Sequence, residues 1–246
     1  MHRFFIPKES ESGEKIVFSN EQSAQITRVL RFATGDLVIT FDGSGYEQTV
    51  RLDLIDRYSC TGTVIKRRQG DSEPRVKVTL YQALIKQDRF EYTLQKGVEI
   101  GITTFSPIIS SRTQLFQLSS SRLTRWRKII MESAEQSGRV IIPDLTAPVS
   151  LDEALKTSSG LKLIPWENET QVSLREVLRA QDVTAMREGV DVAIFIGPVG
   201  GFSPEEIQSA ENNGVIPVSL GKRVLRSETA GIAAAVGVLY ESGDIC

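Results

Sequence analysis

Two short loops toward the C-terminal end carry residue types able to hold a small ligand. The first, Gly197-Pro198-Val199-Gly200-Gly201, follows the apolar run Val190–Ile196 and leads into Ser203-Pro204-Glu205-Glu206. Glycines there let the main chain approach a ligand closely and reach positive φ. The second, Gly221-Lys222-Arg223-Val224-Leu225-Arg226, follows the apolar stretch Val215–Leu220. Neither is a P-loop, because Gly221-Lys222 lacks the upstream glycine, and neither is the G-x-G-x-x-G dinucleotide fingerprint. One glycine-rich turn is a weak signal. Two of them at the ends of consecutive strands are stronger, because ligands bind at the carboxyl ends of strands in an open α/β sheet. Arg226 is a cation suited to stabilising developing negative charge, or to a structural pair with Glu228. Glu228 is a candidate base, or with Thr229 a cap for the helix that begins there.

Composition narrows the chemistry. The single histidine, His2, is expected to be an exposed terminal residue, so a Ser-His-Asp triad or a multi-histidine metal site is excluded. Cys60 is expected in a buried strand and Cys246 is a chain end, which gives neither a disulfide framework nor a covalent nucleophile. A reaction without metal or covalent enzyme intermediate is expected. No apolar run reaches the ~20 residues of a membrane span, and the N-terminus lacks a secretory signal. A cytoplasmic protein without membrane contact is therefore expected. The net charge of −2 hides an uneven distribution: Arg75–Arg139 carries 11 Lys/Arg against 5 Asp/Glu, and 140–246 carries 8 against 15. A basic middle on an acidic chain is a footprint for a polyanion or a solvated helix face. Arg122, Arg125 and Lys128 would share one helix face.

The elements that position these loops follow from periodicity. With 246 residues, one large or two modest domains are expected. Residues 1–70 read as strand-rich, with strands over 37–42, 47–56 and 59–66 and the turn Asp42-Gly43-Ser44-Gly45. One helix interrupts them, capped by Ser19 with Gln22 and carrying Ile26, Val29 and Leu30 at helical spacing. The polar stretch Arg67–Pro74 reads as a linker. Residues 75–246 then alternate strands (76–84, 105–109, 161–165, 190–196, 215–220) with helices (from Asp88, 122–137, 173–180, from Ser203, from Glu228). That alternation predicts an α/β domain with a mostly parallel sheet. Trp126 and Trp166 are expected in the interior, with base stacking as the alternative.

The two loops, read as Ile196-Gly197-Pro198-Val199-Gly200-Gly201-Phe202-Ser203 and Leu220-Gly221-Lys222-Arg223-Val224-Leu225-Arg226-Ser227-Glu228-Thr229-Ala230, resemble the SPOUT class of methyltransferases. Among these they are similar to the bacterial 16S ribosomal RNA uracil-N3 methyltransferase family. Arg3-Phe4-Phe5, Arg28-Val29-Leu30-Arg31 and the stretch Glu132–Arg139 agree, so the resemblance spans nearly the whole chain. It implies an N-terminal PUA-like RNA-binding β-barrel and a C-terminal α/β trefoil-knot domain that works as a homodimer. It further implies S-adenosyl-L-methionine as cofactor, held by Ile164, Pro165, Ile196, Gly197, Pro198, Gly200, Gly201, Leu220, Gly221, Val224, Leu225 and Arg226. The implied reaction is methylation of a uridine at N3 in 16S rRNA within the 30S subunit, with Arg226 and Glu228 as catalytic candidates. RNA contacts are expected from Arg3, Arg28 and Arg31, and from Arg112, Arg125, Lys128 and Arg139. The family usually carries glutamate where this chain has Val199, which keeps a non-catalytic RNA-binding protein as a rival. A SPOUT methyltransferase acting at another RNA position is a further rival. A nicotinamide-dependent oxidoreductase would need the dinucleotide fingerprint that is missing.

Overall fold

A computed structural model describes residues 1–114, 118–181 and 189–245, so Cys246 lies outside the described residues. The chain divides into two compact units: Met1–Glu73 with Ala134–Ile142, and Pro74–Ser133 with Pro143–Cys246. The segment 134–142, which the sequence assigns to the second domain, belongs with the first unit.

In the first unit, β1 (Arg3–Phe5), β2 (Glu11–Ser12), β3 (Lys15–Val17), β4 (Leu37–Phe41), β5 (Tyr46–Leu54) and β6 (Thr61–Gln69) form one sheet in the order β1-β4-β5-β6-β3-β2. All pairs are antiparallel except β1 with β4. Register shifts between β5 and β6 mark the irregularities that curl such a sheet. Alternating residues Val38, Val50 and Leu52 meet Phe4, Ile16, Phe18 and Cys60 in the core. β6 extends through Arg67 and Arg68, which therefore do not belong to a linker. Their main chain pairs with β5 at Gln48 and Glu47, and ladder partners outweigh polar composition there. β1 to β3 escape prediction because they are too short to show a period.

Ser19 and Gln22 make the expected capping box on α1 (Asn20–Ala24). The chain then widens into a π-helical turn over Gln25–Val29, closed by Leu30 N–H donating to the Gln25 carbonyl at 2.9 Å. The wider turn rotates Val29 outward to 72% exposure while Ile26 stays buried. His2 departs from its expected exposure. It is half-buried, edge-on to Phe4 at 4.8 Å, and burial, then the terminal ammonium, lower its pKa.

The second unit has a wholly parallel sheet. Its strands are β7 (Lys77–Ala83), β8 (Thr104–Ile109), β9 (Asp144–Leu145), β10 (Val149–Ser150), β11 (Leu161–Pro165), β12 (Asp191–Ile196) and β13 (Ile216–Val218). Their order is β10-β8-β7-β12-β11-β13, with β9 beside β8. Among the described residues its helices are α2 (Gln87–Ile100), α3 (Ser120–Ser137, whose last turn falls in the first unit), α4 (Leu151–Thr157), α5 (Leu174–Arg179), α6 (Pro204–Asn212) and α7 (Ser227–Glu241). β12 lies between β7 and β11 with Val192 through Ile196 all buried, which is why that stretch is a continuous apolar run, while Asp191 at the start of the strand is exposed. Asp88 does not start α2; the N-cap is Lys86, and Asp88 sits in the first turn, where a carboxylate favours the helix dipole.

Glu47 sits at the centre of the first unit's charges. It accepts from Arg3 Nη1 at 2.7 Å and from Arg68, and its side chain is 7% exposed. Burial disfavours its charge, but hydrogen bonds from Arg3 and Arg68 outweigh that and hold the carboxyl below its usual range. A depressed folded value means the stabilisation is full above the unfolded value of about 4.3 and fades as the pH falls through the lower folded one. Glu47→Gln is expected to cost about 3 kcal/mol at neutral pH, because it leaves Arg3 buried without its counter-charge, and to flatten the acid limb of stability. Denaturant unfolding of both proteins from neutral to about pH 3 checks this; an unchanged midpoint at neutral pH contradicts it.

Candidate active site

Because β12, β11 and β13 are parallel neighbours, their carboxyl ends Ile196, Pro165 and Val218 reach the same edge of the sheet. The segments that follow them line two adjoining hollows there. One is walled by Pro165, Trp166, Glu167, Leu220, Gly221, Lys222 and Leu225. The other, of ≈ 270 Å³, is walled by Arg89, Glu167, Ile196, Gly197, Pro198, Gly201, Leu225 and Arg226. Pro165, Glu167, Val224, Leu225 and Ala230 face both.

Hydrogen bonds hold the first glycine loop in shape. Ser227 Oγ donates to the Gly197 carbonyl at 2.5 Å and accepts from Gln82 Nε2 at 2.9 Å. Gly201 N–H closes a turn onto the Pro198 carbonyl at 3.0 Å, and Arg112 Nη1 donates to the Gly200 carbonyl at 2.7 Å. Gly201 has φ +66°, and a Cβ there would stand 2.5 Å from Glu167 Oε1, so the carboxylate rests where only glycine leaves room. The loop ends in the predicted capping box: Ser203 Oγ accepts from Glu206 N–H at 3.2 Å, and Ser203 N–H donates to the Glu206 carboxylate at 2.8 Å. The second loop is pinned at Ser219, whose N–H donates to the Val172 carbonyl and whose carbonyl accepts from Leu174 N–H. Beyond it Gly221 adopts φ +106° and Val224 is 84% exposed.

Most residues expected at a cofactor line these hollows. Two do not: Ile164 is fully buried in the core behind Pro165, and Gly200 turns its carbonyl to Arg112. Val199 is on the cavity wall and largely exposed. Arg226 is exposed on the cavity wall, holds the N-cap position of α7, and has no ion-pair partner among the described residues. Glu228 is buried, with Oε1 3.6 Å from Arg89 Nε and Oε2 without a hydrogen-bond partner among the described residues. The expected alternatives for Glu228 therefore change. Its ion-pair partner is Arg89 rather than Arg226, and the α7 N-cap is Arg226 rather than Glu228 or Thr229.

The cations expected on RNA separate into groups. Arg28 and Arg31 are exposed and have no ion-pair partner among the described residues; Arg31 adopts φ 55°, uncommon outside glycine. Arg112 holds the glycine loop, Arg125 grips Glu91 at 2.7 and 2.9 Å, and Lys128 faces Glu132 at 3.8 Å. Arg3 and Arg139 do not stand free at the surface. Their side chains are 12% and 3% exposed and are bound to Glu47 and Glu73, because a buried cation needs a carboxylate partner. Trp126 lies in the core, stacked on Phe90. Trp166 is partly buried, and its indole N–H has no hydrogen-bond partner among the described residues.

Arg89 and Glu167 were not singled out from sequence. Glu167 had a signal, since it follows strand β11 directly. Arg89 had none: it lies in the first turn of α2, far in sequence from both loops. Among the described residues no three His, Cys, Asp or Glu side chains converge to hold a metal ion, and no helix is long and apolar enough to cross a membrane.

The RNA methyltransferase domain profile matches residues 72–238. The Neisseria gonorrhoeae ribosomal RNA small subunit methyltransferase E, solved bound to S-adenosyl methionine, superposes with TM-score 0.86 at 30% identity over 98% of this chain and 97% of that one. A Legionella pneumophila protein solved with the bound cofactor SAM gives TM-score 0.85 at 32% identity, covering 97% and 96%. The ribosomal RNA small subunit methyltransferase E of Mesomycoplasma hyopneumoniae is 31% identical over 236 residues, 94% of this chain and 96% of the relative. The fold is thus the SPOUT α/β trefoil-knot fold with a PUA-like barrel. The chain belongs to the ribosomal RNA small subunit methyltransferase E family of S-adenosylmethionine-dependent RNA methyltransferases.

Gly201→Ala is expected to destabilise the protein by roughly 1–3 kcal/mol, from positive φ and the displaced Glu167 together. Urea unfolding measures it, and a variant as stable as the parent contradicts the close approach described.

Proposed function

We propose that this protein transfers a methyl group from S-adenosylmethionine to N3 of one uridine in 16S rRNA. We further infer that it acts on the small ribosomal subunit, in the cytoplasm, as a homodimer. The observation that supports the reaction best is a cation, Arg226, on the wall of a cavity shared by the two glycine loops and lacking an ion-pair partner among the described residues.

The adjoining hollows suit the cofactor chemically. Gly221 leaves the main chain open to a ligand, with no other group within 4 Å of where a side chain would stand. Trp166 Nε1 has no hydrogen-bond partner among the described residues and lies beside the first hollow, and Glu167 presents a carboxylate to both, which favours a sulfonium. We assign cofactor binding to Pro165, Ile196, Gly197, Pro198, Gly201, Leu220, Gly221, Val224 and Leu225. When bound, the cofactor supplies a methyl group on a positively charged sulfur.

The chain's own task is orientation and charge. Uridine N3 carries a proton, and losing it leaves negative charge on O2 and O4. Arg226 offsets that charge, helped by the positive N-terminal end of α7, which Arg226 itself caps. Holding base and donor in line accounts for much of the remaining acceleration. Arg28 and Arg31 are the exposed cations assigned to the RNA backbone.

Methyl transfer from labelled cofactor to small subunits lacking the modification, with the nucleoside identified by mass spectrometry, tests the reading. N3-methyluridine is the expected product, and label on another nucleoside discards the assigned position. Arg226→Ala should lower kcat about 100-fold at saturating RNA; near-normal turnover removes Arg226 from catalysis. In RNA-binding titrations, replacing Arg28 and Arg31 with alanine should weaken affinity. For every phosphate that the protein no longer neutralises, the log–log salt slope should become shallower by about 0.7 to 0.9, whereas an unchanged slope places both residues off the RNA.

A further inference from the structure

The second hollow holds a second arginine. Arg89 comes from the first turn of α2, and Arg226 from the N-cap of α7; both line the same ≈ 270 Å³ cavity. Arg89 is one-third exposed, and its only ion pair among the described residues is with Glu228, 3.6 Å from Nε to Oε1. Its terminal nitrogens have no hydrogen-bond partner among the described residues. Glu228 is buried beneath it and leaves Oε2 without a hydrogen-bond partner among the described residues, so its charge is directed at Arg89. A buried carboxylate is costly unless it serves a cation. The result is a guanidinium anchored through its inner nitrogen, with its outer donors free at the cavity.

Resting on the proposed uridine N3 reaction, we propose that Arg89 is a second catalytic cation, oriented by Glu228, and that Arg89 and Arg226 together bind the uracil anion, one at O2 and one at O4. The chemistry of the base calls for two cations. When the N3–H bond breaks, its electron pair stays on the base and spreads to the two carbonyl oxygens flanking N3, while the proton passes to solvent water. A single cation neutralises one of those oxygens. Two cations favour the anion over the neutral base more strongly, so the base ionises at lower pH without a dedicated protein base. The other charged side chain on the cavity wall is Glu167, with Lys222 and Arg223 on the neighbouring hollow and Glu228 behind Arg89. Glu228 acts through Arg89 and is a positioning residue.

The test compares wild type with Arg89→Ala, Arg89→Lys and Glu228→Gln in methyl transfer to unmodified small subunits across pH. Arg89→Ala should lower kcat about 100-fold near neutrality, and the rising limb of its pH profile should move to higher pH. Cofactor affinity, read by calorimetry, should stay near the parent value. Arg89→Lys should recover part of the loss, and Glu228→Gln should displace the profile in the same direction by less. Substrate carrying 5-fluorouridine at the target, whose N3 proton leaves more readily, should relieve most of the Arg89→Ala defect. As a readout apart from turnover, the ¹⁹F resonance of that bound residue should report less anion in the variant than in wild type. Loss that is uniform across pH and not relieved by fluorine overturns the proposal, as does an unchanged profile. Should Arg89→Ala not fold, the lysine and Glu228→Gln profiles decide alone. Wild type that makes no N3-methyluridine overturns the underlying reaction as well, whereas wild type that makes it beside an indifferent Arg89→Ala overturns only the role of Arg89.

Discussion

The backbone ladder on both sides of β12 is the constraint from which the site follows. β12 pairs with β7 along all six of its residues and with β11 at three. Every one of these pairs is parallel, so no two neighbouring strands can be joined by a tight hairpin, and each connection crosses a face of the sheet. The carboxyl ends are thereby forced to one edge. Burial of Val192 through Ile196 fixes the strand's register, and register in turn sets Gln82 opposite Ile196. From there Gln82 reaches Ser227, and Ser227 reaches the Gly197 carbonyl. A main-chain pairing far from any charge thus decides where the glycine loop and the start of α7 stand.

Electrostatics in the two hollows depends on what lies behind their walls. Arg226 faces the cavity from a helix N-terminus, where a cation is not stabilised by the dipole. That placement costs stability and makes sense where negative charge arrives. Arg89 is the opposite case: Glu228 supports it from beneath, and its position is set in the resting protein. Glu167 brings negative charge to the same walls, close against Gly201. Cation and carboxylate on one cavity suit a reaction in which a sulfonium and an anionic base meet.

In the first unit the same charges serve structure. Glu47 gathers Arg3 and Arg68, and Glu73 holds Arg139 while accepting the main-chain N–H groups of Val140 and Ile141. These carboxylates tie segments remote in sequence, 44 residues apart for Arg3 and Glu47. Arginines spent this way cannot also meet phosphates, whereas Arg28 in the π-helical turn and Arg31 just after it remain available.

The sequence by itself determined the parts that are local. Apolar continuity marked β12, capping residues marked the starts of α1 and α6, and glycine spacing marked both loops, because each depends on neighbours within a few residues. The same local signals marked the two loops that help wall the hollows, since a loop that follows a parallel strand must open at its carboxyl end. Tertiary structure alone decided the order of strands and the return of 134–142 to the first unit. It alone decided the partners of charged side chains as well. Arg139 with Glu73 and Arg89 with Glu228 are separated by 66 and 139 residues and follow no period. Ion pairs form wherever packing brings opposite charges into a space too dry to leave either alone. No pattern along the chain records that meeting, so the second arginine of the cavity became visible only in the fold.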